Sequence, residues 1–88
     1  MYFVYILLSK KTRRYYVGQT NNLERRLSFH NACRERYTCR GVPWEVVFSK
    51  EFTSRSAARN CETFIKNQKS TAFIEKVISG QYKLPDSH

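Results

Sequence analysis

The chain has 88 residues and a formal net charge of +9, from 16 Lys and Arg against 7 Asp and Glu. This length suits one domain with a modest core, and no stretch approaches the roughly 18–20 unbroken apolar residues of a membrane span. A small domain of this charge favours a polyanion and steers it electrostatically. Solubility alone, or an anionic membrane surface, would also account for the charge. We predict nucleic acid as the partner, and no membrane.

The cysteines and the N-terminus bear on the compartment. Three cysteines without a CxxC pair argue against a disulfide framework and predict buried or half-buried thiols in a reducing compartment. A zinc site from His30, Cys33 and Cys39 would not have the four ligands at recognised spacings that such sites use. We therefore prefer the interpretation of the cysteines as thiols. The run MYFVYILLSKK has no basic n-region and no small-residue cleavage site, which predicts a strand rather than a secretory signal. We therefore expect a cytoplasmic protein.

The chain opens with a predicted β-hairpin. Residues 2–8, YFVYILL, carry apolar or aromatic side chains on both sides of the predicted strand, so both of its faces should be covered. The polar SKKTR forms the turn, and residues 14–18 form the return strand. If the turn centres on its two lysines, Tyr5 lies directly opposite Tyr16. The two phenols then share one face of the sheet, with Cβ atoms about 5 Å apart.

The first helix is predicted to begin at Asn21, which caps it, with Glu24 as the capping-box partner. It should run to about residue 32. At about 100° per residue, Arg26 borders the stripe that faces the sheet, whereas Arg25 points nearly away. That stripe comprises Leu23, Leu27 and His30. The two consecutive arginines should therefore have different environments.

The second half is predicted to contain a strand and two helices. ERYTCRGVP should be irregular, and WEVVFSKEF should be the third strand. Ser54 caps a helix with Glu62 at the edge of its apolar side, and Ser70 caps a last short helix that ends at Gly80. The apolar positions are Ala58, Cys61 and Ile65 in the first helix and Phe73, Ile74, Val77 and Ile78 in the second. The order β-β-α-β-α-α predicts an α/β fold, a small three-stranded antiparallel sheet flanked by helices, in one domain of residues 1–80 followed by a flexible tail, 81–88.

Six residues together offer the chemistry of phosphodiester hydrolysis. A carboxylate can hold a hard divalent cation that keeps several waters. An arginine can stabilise the growing negative charge of the transition state, and a phenol or imidazole can take a proton from the attacking water. A glycine at a strand end lets another group approach the backbone closely. These residues are Tyr5, Tyr16, Gly18, Arg26, His30 and Glu62.

Each of these residues also has a structural explanation. Paired tyrosines are often packing residues, and His30 on a helix face is more often structural. In the same view Arg26 is a surface cation lying along its own aliphatic stem, and Glu62 forms an i,i+4 ion pair with Lys66. Spacing alone does not decide between the two explanations.

Four segments together resemble the GIY-YIG nuclease superfamily: VYI at 4–6, YVG at 16–18, NLERRL at 22–27 followed by His30, and E..IK at 62–66. The likeness runs from Tyr2 to about Ile78. It is strongest to small stand-alone bacterial members, which are related to the N-terminal nuclease domain of the excinuclease of nucleotide-excision repair. The two tyrosines are eleven residues apart, which fits the family's spacing.

The resemblance implies a three-stranded antiparallel sheet flanked by helices and a metal-dependent cut of a nucleic-acid phosphodiester. Tyr5 and Tyr16 match the two motif tyrosines, one of which would activate the water. Arg26 matches the catalytic arginine. His30 falls where the family has a further His or Tyr, as a relay or a substrate contact. Glu62 matches the single acidic ligand of Mg²⁺ or Mn²⁺.

Gly18 matches the motif glycine, and two departures from the family pattern are visible. The first motif is FVY rather than GIY. Gln19 follows YVG where some relatives carry a lysine that assists the base or binds phosphate. We also expect no second domain of the kind that supplies target choice in many relatives, in which case the protein would recognise structure or backbone itself, or borrow a protein partner.

We therefore expect an endonuclease that cuts branched, damaged or single-stranded DNA, as a monomer or weak dimer, with RNA as the alternative substrate. A nucleic-acid-binding module of the same fold with little or no catalysis is the second hypothesis. Glu62 separates the two, because a pure binder needs no carboxylate in a cationic cleft. A basic adaptor for acidic proteins or membrane leaves the Tyr–Arg–Glu set unexplained. The residues expected to contact nucleic acid are Gly18, Gln19, Arg13, Arg14, Arg25, Lys66 and Lys69.

Overall fold

The computed structural model describes residues 1–34 and 36–84. In these ranges it contains three strands and four helices, which confirm the predicted α/β fold, a three-stranded antiparallel sheet flanked by helices. The elements are β1 (Tyr2–Ser9), β2 (Tyr15–Thr20), α1 (Leu23–Asn31), α2 (Arg36–Cys39), β3 (Trp44–Phe52), α3 (Arg55–Asn67) and α4 (Thr71–Ser79). The one-turn helix α2 lies in the segment predicted to be irregular.

The sheet has the order β2-β1-β3, so β1 is central and β2 is an edge strand. Both faces of β1 are covered, as its apolar composition predicts. Helices α3 and α4 pack on one face, and α1 packs on the other. The buried residues on the α3 side are Val4, Ile6, Val17, Phe52, Ala58, Cys61, Ile65, Val77 and Leu84. On the α1 side, Tyr5, Leu7 and Trp44 are buried, and Tyr16, Leu23, Leu27, Val42 and Val46 pack against them.

The register of the hairpin differs from the prediction. Tyr5 pairs with Gly18, and Tyr16 pairs with Leu7. The predicted direct pairing of the two tyrosines was therefore wrong by two positions. Because side chains alternate along a strand with a period of two, an even shift keeps both phenols on the same face. Their rings lie on a diagonal, with centroids 6.4 Å apart.

A wider turn causes this shift. The backbone N–H of Ser9 donates to the carbonyl of Arg14 at 2.9 Å, and the N–H of Arg13 donates to the carbonyl of Ser9 at 2.9 Å. Arg13 has a φ of 61°, in the left-handed region. The Ser9 hydroxyl accepts hydrogen bonds from the N–H groups of Lys11 and Thr12 at 3.2 and 2.9 Å. A buried serine side chain thus organises a longer loop than two lysines alone suggest.

Helix α1 begins one residue later than predicted. Its cap is Asn22, whose side chain accepts from the N–H of Arg25 at 3.0 Å, not Asn21. Strand β2 continues to Thr20, and the Thr20 hydroxyl accepts from the N–H of Asn22 at 3.2 Å, which delays the start of the helix. Glu24 is therefore not placed for a capping box, although it remains in the first turn, where a negative charge is favourable.

The caps of the two later helices are as predicted. Ser54 accepts from the N–H of Ala57, and Ser70 accepts from the N–H of Phe73, both at 3.1 Å. Gly80 ends α4 in the left-handed conformation, with φ of 86°. Such caps are signalled by residue type alone, which explains why these boundaries could be predicted.

The cysteines differ from the expectation of three thiols. Cys33 and Cys39 form a disulfide that links the end of α1 to α2. Cys61 is a free, buried thiol, and burial raises its pKa to about 11. The disulfide uses both sulfurs that were considered as zinc ligands, and it removes the support that the cysteine count gave to a reducing compartment.

Beyond α4 the chain stays packed further than the predicted domain boundary at residue 80. The Tyr82 ring lies 4.9 Å from that of Phe73, and Leu84 is buried in the core. The rest of the predicted tail, residues 85–88, lies outside the described residues. In the part of the chain that the structure describes, no helix is long and apolar enough to cross a membrane.

Candidate active site

The glycine of YYVG lies directly beneath a buried phenol. A Cβ atom at Gly18 would lie 2.5 Å from Tyr5 Oη, 2.7 Å from Tyr5 Cζ and 3.2 Å from Tyr16 Cε2. Real Cβ atoms essentially never come within 3.0 Å of such neighbours. Only glycine therefore lets the Tyr5 side chain cross from the central strand over the edge strand, which brings its hydroxyl towards the outer side of β2.

The Tyr5 hydroxyl is the centre of a buried network. Tyr5 Oη and His30 Nε2 are 3.2 Å apart, and Arg26 Nε donates to Tyr5 Oη at 3.4 Å. His30 is completely buried, and its Nδ1 lies 3.0 Å from Thr38 Oγ1. Arg26 donates to the phenol oxygen, and we assign the phenol proton to the contact with His30 Nε2. In this assignment the imidazole proton is on Nδ1 and is donated to the hydroxyl of Thr38.

Burial raises the pKa of Tyr5 to about 12, and the hydrogen bond from Arg26 only partly opposes this effect. The negative fields of Tyr16 and Glu62 raise the pKa of Tyr5 further. Tyr5 is therefore neutral at pH 7, and in the protein alone it serves as a hydrogen-bond donor that holds the histidine. Its partner phenol differs, because Tyr16 is only half-buried.

The two consecutive arginines of α1 differ as predicted. Arg25 is exposed, whereas Arg26 is half-buried and places its guanidinium 4.7 Å from the ring centroid of Phe29. The hydrogen bond to Tyr5 raises the pKa of Arg26, and Tyr16 acts in the same direction through a side-chain hydrogen bond. Arg26 is thus a permanent cation in contact with both phenols.

Glu62 approaches the same cluster from the opposite face of the sheet. Its side chain is 19% exposed, and Lys66 Nζ donates to its Oε2 at 2.7 Å. The i,i+4 ion pair considered from the sequence is therefore present. The ammonium of Lys66 also lies 5.9 Å from the Tyr16 ring centroid, which connects the carboxylate to the phenols. The structure thus brings together the five residues predicted to be catalytic, at the outer side of β2.

A divalent cation is compatible with this donor set. Within residues 1–34 and 36–84, no group of three His, Cys, Asp or Glu side chains is placed to hold a metal ion. Mg²⁺ does not require such a cage, because it keeps several waters and is often held by one or two carboxylates and the substrate phosphates. Glu62, partly exposed beside a cationic surface, fits that pattern.

The residues predicted to contact nucleic acid are spread over three regions: the hairpin turn, α1 and the groove beside Tyr16. Arg13 and Arg14 are exposed in the hairpin turn, and Arg25 is exposed on α1. Gln19 is half-buried and pairs with Val4, so strand alternation turns it to the face opposite the phenols. The structure therefore places Gln19 on the side of the sheet that α3 and Glu62 cover, and not beside the two phenols.

Lys66 and Lys69 lie together on the wall of a groove of about 530 Å³ beside Tyr16. The groove is also lined by Tyr15 and Val17, which belong to the other face of β2, and by Tyr37 of α2. Because residues of both faces of β2 line it, the groove follows the edge of the sheet. It opens next to the phenol pair.

The segment between α1 and β3 makes a contribution that was not predicted from the sequence. Thr38 binds the imidazole of His30, and its carbonyl accepts from the indole Nε1 of Trp44 at 2.6 Å. Trp44 in turn packs its ring 6.3 Å from that of Tyr16. No helix or strand periodicity signals the roles of Thr38, because it lies eight residues from His30 and six from Trp44 in the connection between α1 and β3.

Comparisons with known proteins agree with this geometry. Residues 1–76 match the GIY-YIG catalytic domain. The chain is 37% identical over 83 residues to a UPF0213 protein of Clostridium perfringens, covering 89% of this chain and 88% of that protein. It is 39% identical over 81 residues to a UPF0213 protein of Natronomonas pharaonis, covering 91% and 93% of the two chains.

A third relative carries an activity in its name. The structure-specific endonuclease subunit SLX1 of Phaeosphaeria nodorum is 36% identical over 81 residues, which is 85% of this chain and 22% of that protein. The solution NMR structure of a UPF0213 protein from Bacillus halodurans has a TM-score of 0.57 at 30% identity, covering 90% of this chain and 84% of that chain. Since the family match spans most of the sequence and includes every residue of the cluster, the chain belongs to the GIY-YIG catalytic domain family.

Proposed function

We propose that this protein is a metal-dependent endonuclease that hydrolyses phosphodiester bonds in DNA and recognises the structure of its substrate rather than a base sequence. One observation carries the proposal: a neutral phenol, a buried histidine and a permanent cation meet a carboxylate at the edge of a basic groove. A nucleic-acid-binding module needs the cations but has no use for the carboxylate.

In the proposed reaction, Tyr16 takes the proton from the attacking water. It is the more exposed phenol, and it would act as the phenolate, with the guanidinium of Arg26 and the ammonium of Lys66 beside it. The oxygen of the water forms a bond to phosphorus while the bond to the leaving oxygen breaks, and the leaving alkoxide takes a proton from solvent. Arg26 stabilises the negative charge that grows on the phosphate oxygens. Tyr5 and His30 hold Arg26 and the edge of the strand in place.

Glu62 would hold Mg²⁺ or Mn²⁺ at this site. Such an ion supplies charge neutralisation on the phosphate oxygens and lowers the pKa of bound water. Lys66 donates to Oε2 of the Glu62 carboxylate, so its ammonium would compete with a cation bound there and would be released more easily when the cation is present. Released, its ammonium can pair with a phosphate, which agrees with the predicted role of Lys66 in nucleic-acid contact.

DNA is proposed as the substrate because the SLX1 relative is named as a structure-specific endonuclease. The net charge of +9 supports a polyanionic substrate. Recognition of structure is proposed because α1 presents only Arg25 as an exposed arginine, a contact suited to phosphate rather than to base edges. A protein partner for targeting, cytoplasmic location and action as a monomer or weak dimer belong to the same proposal.

The test is cleavage of labelled single-stranded, duplex, flap and four-way-junction DNA, with matched RNA, in Mg²⁺, Mn²⁺ or EDTA. Glu62→Gln should abolish metal-dependent cutting while binding is kept. Glu51→Gln, the same change on an exposed residue of β3, is the control. Binding of every substrate without any cutting by the wild type would favour the binding module instead.

The consecutive arginines provide a second matched pair. Arg26→Ala should lower kcat by roughly 10²–10³-fold, as for loss of a group that stabilises transition-state charge. Arg25→Ala should weaken binding in a salt-dependent way and leave kcat near the wild-type value. Tyr16→Phe should lose most of the rate without loss of stability. Equal effects of the two arginine substitutions on kcat would contradict the proposed roles.

A further inference from the structure

We propose that the groove beside Tyr16 is a subsite for the unpaired nucleotide next to the scissile phosphate, with Tyr37 as the stacking surface for its base and Lys69 as the contact for its phosphate. This inference rests on the proposed function, since it names a substrate contact of the same site.

The position of the groove gives the first argument. Tyr16 belongs both to the phenol pair and to the wall of the groove. A nucleic-acid strand whose phosphate lies against Arg26 and Tyr16 therefore continues into the groove along the outer side of β2. The volume of about 530 Å³ falls in the range of roughly 300–1,000 Å³ that holds one small ligand. It suits a single nucleotide and is too small for a base pair with its backbones.

The exposure of Tyr37 gives the second argument. Its side chain is 76% exposed, the highest value among the large apolar and aromatic residues of the described chain that are exposed. The ring lies at the mouth of the groove, with its centroid 6.4 Å from that of Tyr16. Helix α2 is held by the contacts of Thr38 with His30 and Trp44, so this exposed ring sits on a tethered segment. An open, positioned aromatic face beside a cationic wall is the arrangement on which unpaired bases stack.

The charges around the groove give the third argument. Lys66 and Lys69 line one wall, and Lys66 is paired with Glu62. Lys69 is exposed, with φ of 48°, at the junction that follows α3. Glu75 is the acidic neighbour, and it accepts from the Tyr15 hydroxyl at 3.4 Å. The positive charge of Arg13, in the hairpin turn, interacts with the phenol of Tyr15. Among the described residues at the groove, three cations, Lys66, Lys69 and Arg13, stand against two acids, Glu62 and Glu75, so an anion with a flat ring complements this groove better than an apolar peptide.

The experiment combines two substitutions with a scan of the substrate. A labelled oligonucleotide is prepared with one abasic residue at each position flanking the cut in turn, and kinetics are measured for wild type, Tyr37→Ala and Tyr37→Phe. We expect the abasic residue at one position to raise KM of the wild type roughly tenfold, the size of one lost base–aromatic stack. Tyr37→Ala should raise KM equally and be indifferent to the abasic residue at that position. Tyr37→Phe should behave as wild type.

Lys69→Gln tests the phosphate contact, with Lys76→Gln, an exposed cation on α4 outside the groove lining, as its control. Lys69→Gln should reduce the salt dependence of binding by about one ion, and Lys76→Gln should not. Additive effects of Tyr37→Ala and the abasic residue at every position would overturn the inference. If the wild type cuts nothing, the proposed function fails. The subsite is then decided by anisotropy of the labelled oligonucleotide, where equal binding by wild type and Tyr37→Ala would overturn it.

Discussion

Replacing Gly18 by alanine should destabilise the protein and inactivate the site together. Ordinary van der Waals contact begins at 3.4 Å, and the new Cβ would lie 2.5 Å from Tyr5 Oη, so the hydroxyl must move by about 0.9 Å. Tyr5 is 1% exposed, so its neighbours must shift to accept this movement. A displacement of this size breaks hydrogen bonds of 3.2 and 3.4 Å to His30 and Arg26. Overpacking of a filled core costs about 1–3 kcal/mol.

The sign of the stability change in Gly18→Ala distinguishes a steric clash with Tyr5 from an effect of backbone propensity. In a strand without the phenol, alanine would be favoured over glycine by roughly 0.5–1 kcal/mol. Gly80→Ala is the matched control, because a Cβ there meets nothing within 4 Å but must adopt a φ of 86°. We expect it to cost about 1–2 kcal/mol and to leave cleavage intact.

Urea denaturation and DNA cleavage of the two alanine variants, measured side by side, provide the assay. Combining Gly18→Ala with Tyr5→Phe removes the nearest atom but leaves Tyr5 Cζ at 2.7 Å, so the double variant should recover only part of the stability. The reasoning is refuted if Gly18→Ala is as stable as the wild type, or if it loses stability while the phenol network and the cleavage rate persist.

The same cluster can be probed at the phenol, at the histidine and at the carboxylate. Since burial raises the pKa of Tyr5 from 10.0 to about 12, its stabilising contribution is present below pH 10 and is lost as the pH rises to 12. Over this interval the free energy of unfolding of the wild type should fall by about 2–3 kcal/mol more than that of Tyr5→Phe, as measured by urea denaturation. An equal fall in both proteins would count against a buried neutral phenol. Thr38→Val should remove the 3.0 Å hydrogen bond to His30 Nδ1 at a cost of about 1–3 kcal/mol in the free energy of unfolding and change the ¹⁵N shifts of the imidazole; an unchanged spectrum would contradict the assigned hydrogen bond. Lys66→Met removes the 2.7 Å partner of Glu62, so Mn²⁺ without DNA should bind several-fold more tightly by calorimetry, and unchanged affinity would argue against metal at this carboxylate.

Helices α3 and α4 and strand β3 could be predicted because their signals are local. Ser54, Ser70 and Gly80 mark boundaries by residue type, and apolar periodicity gives the buried sides. The hairpin register could not be predicted in the same way. It depends on a left-handed arginine, Arg13, and on hydrogen bonds to the buried hydroxyl of Ser9, neither of which has a distinctive residue pattern.

The register error did not change which residues share the candidate site, for a geometric reason. Helical phase alone distinguished Arg26 from Arg25, and it placed His30 towards the sheet. A register error of two leaves the face of Tyr5 unchanged. The contact between His30 Nδ1 and Thr38 could not be predicted from the sequence, because it forms only when the chain folds back between α1 and β3.

The position of the cluster at a sheet edge explains how residues from opposite faces can share one site. Tyr5 belongs to the face covered by α1, and Glu62 belongs to α3 on the other side. In the interior of a sheet the strands would separate them. Among the described residues no further strand pairs with β2, and the missing side chain of Gly18 lets the phenol extend to the edge. An edge strand normally risks pairing with another chain, but here helices and cations surround it, and in the proposed function a phosphate is reached there from both sides.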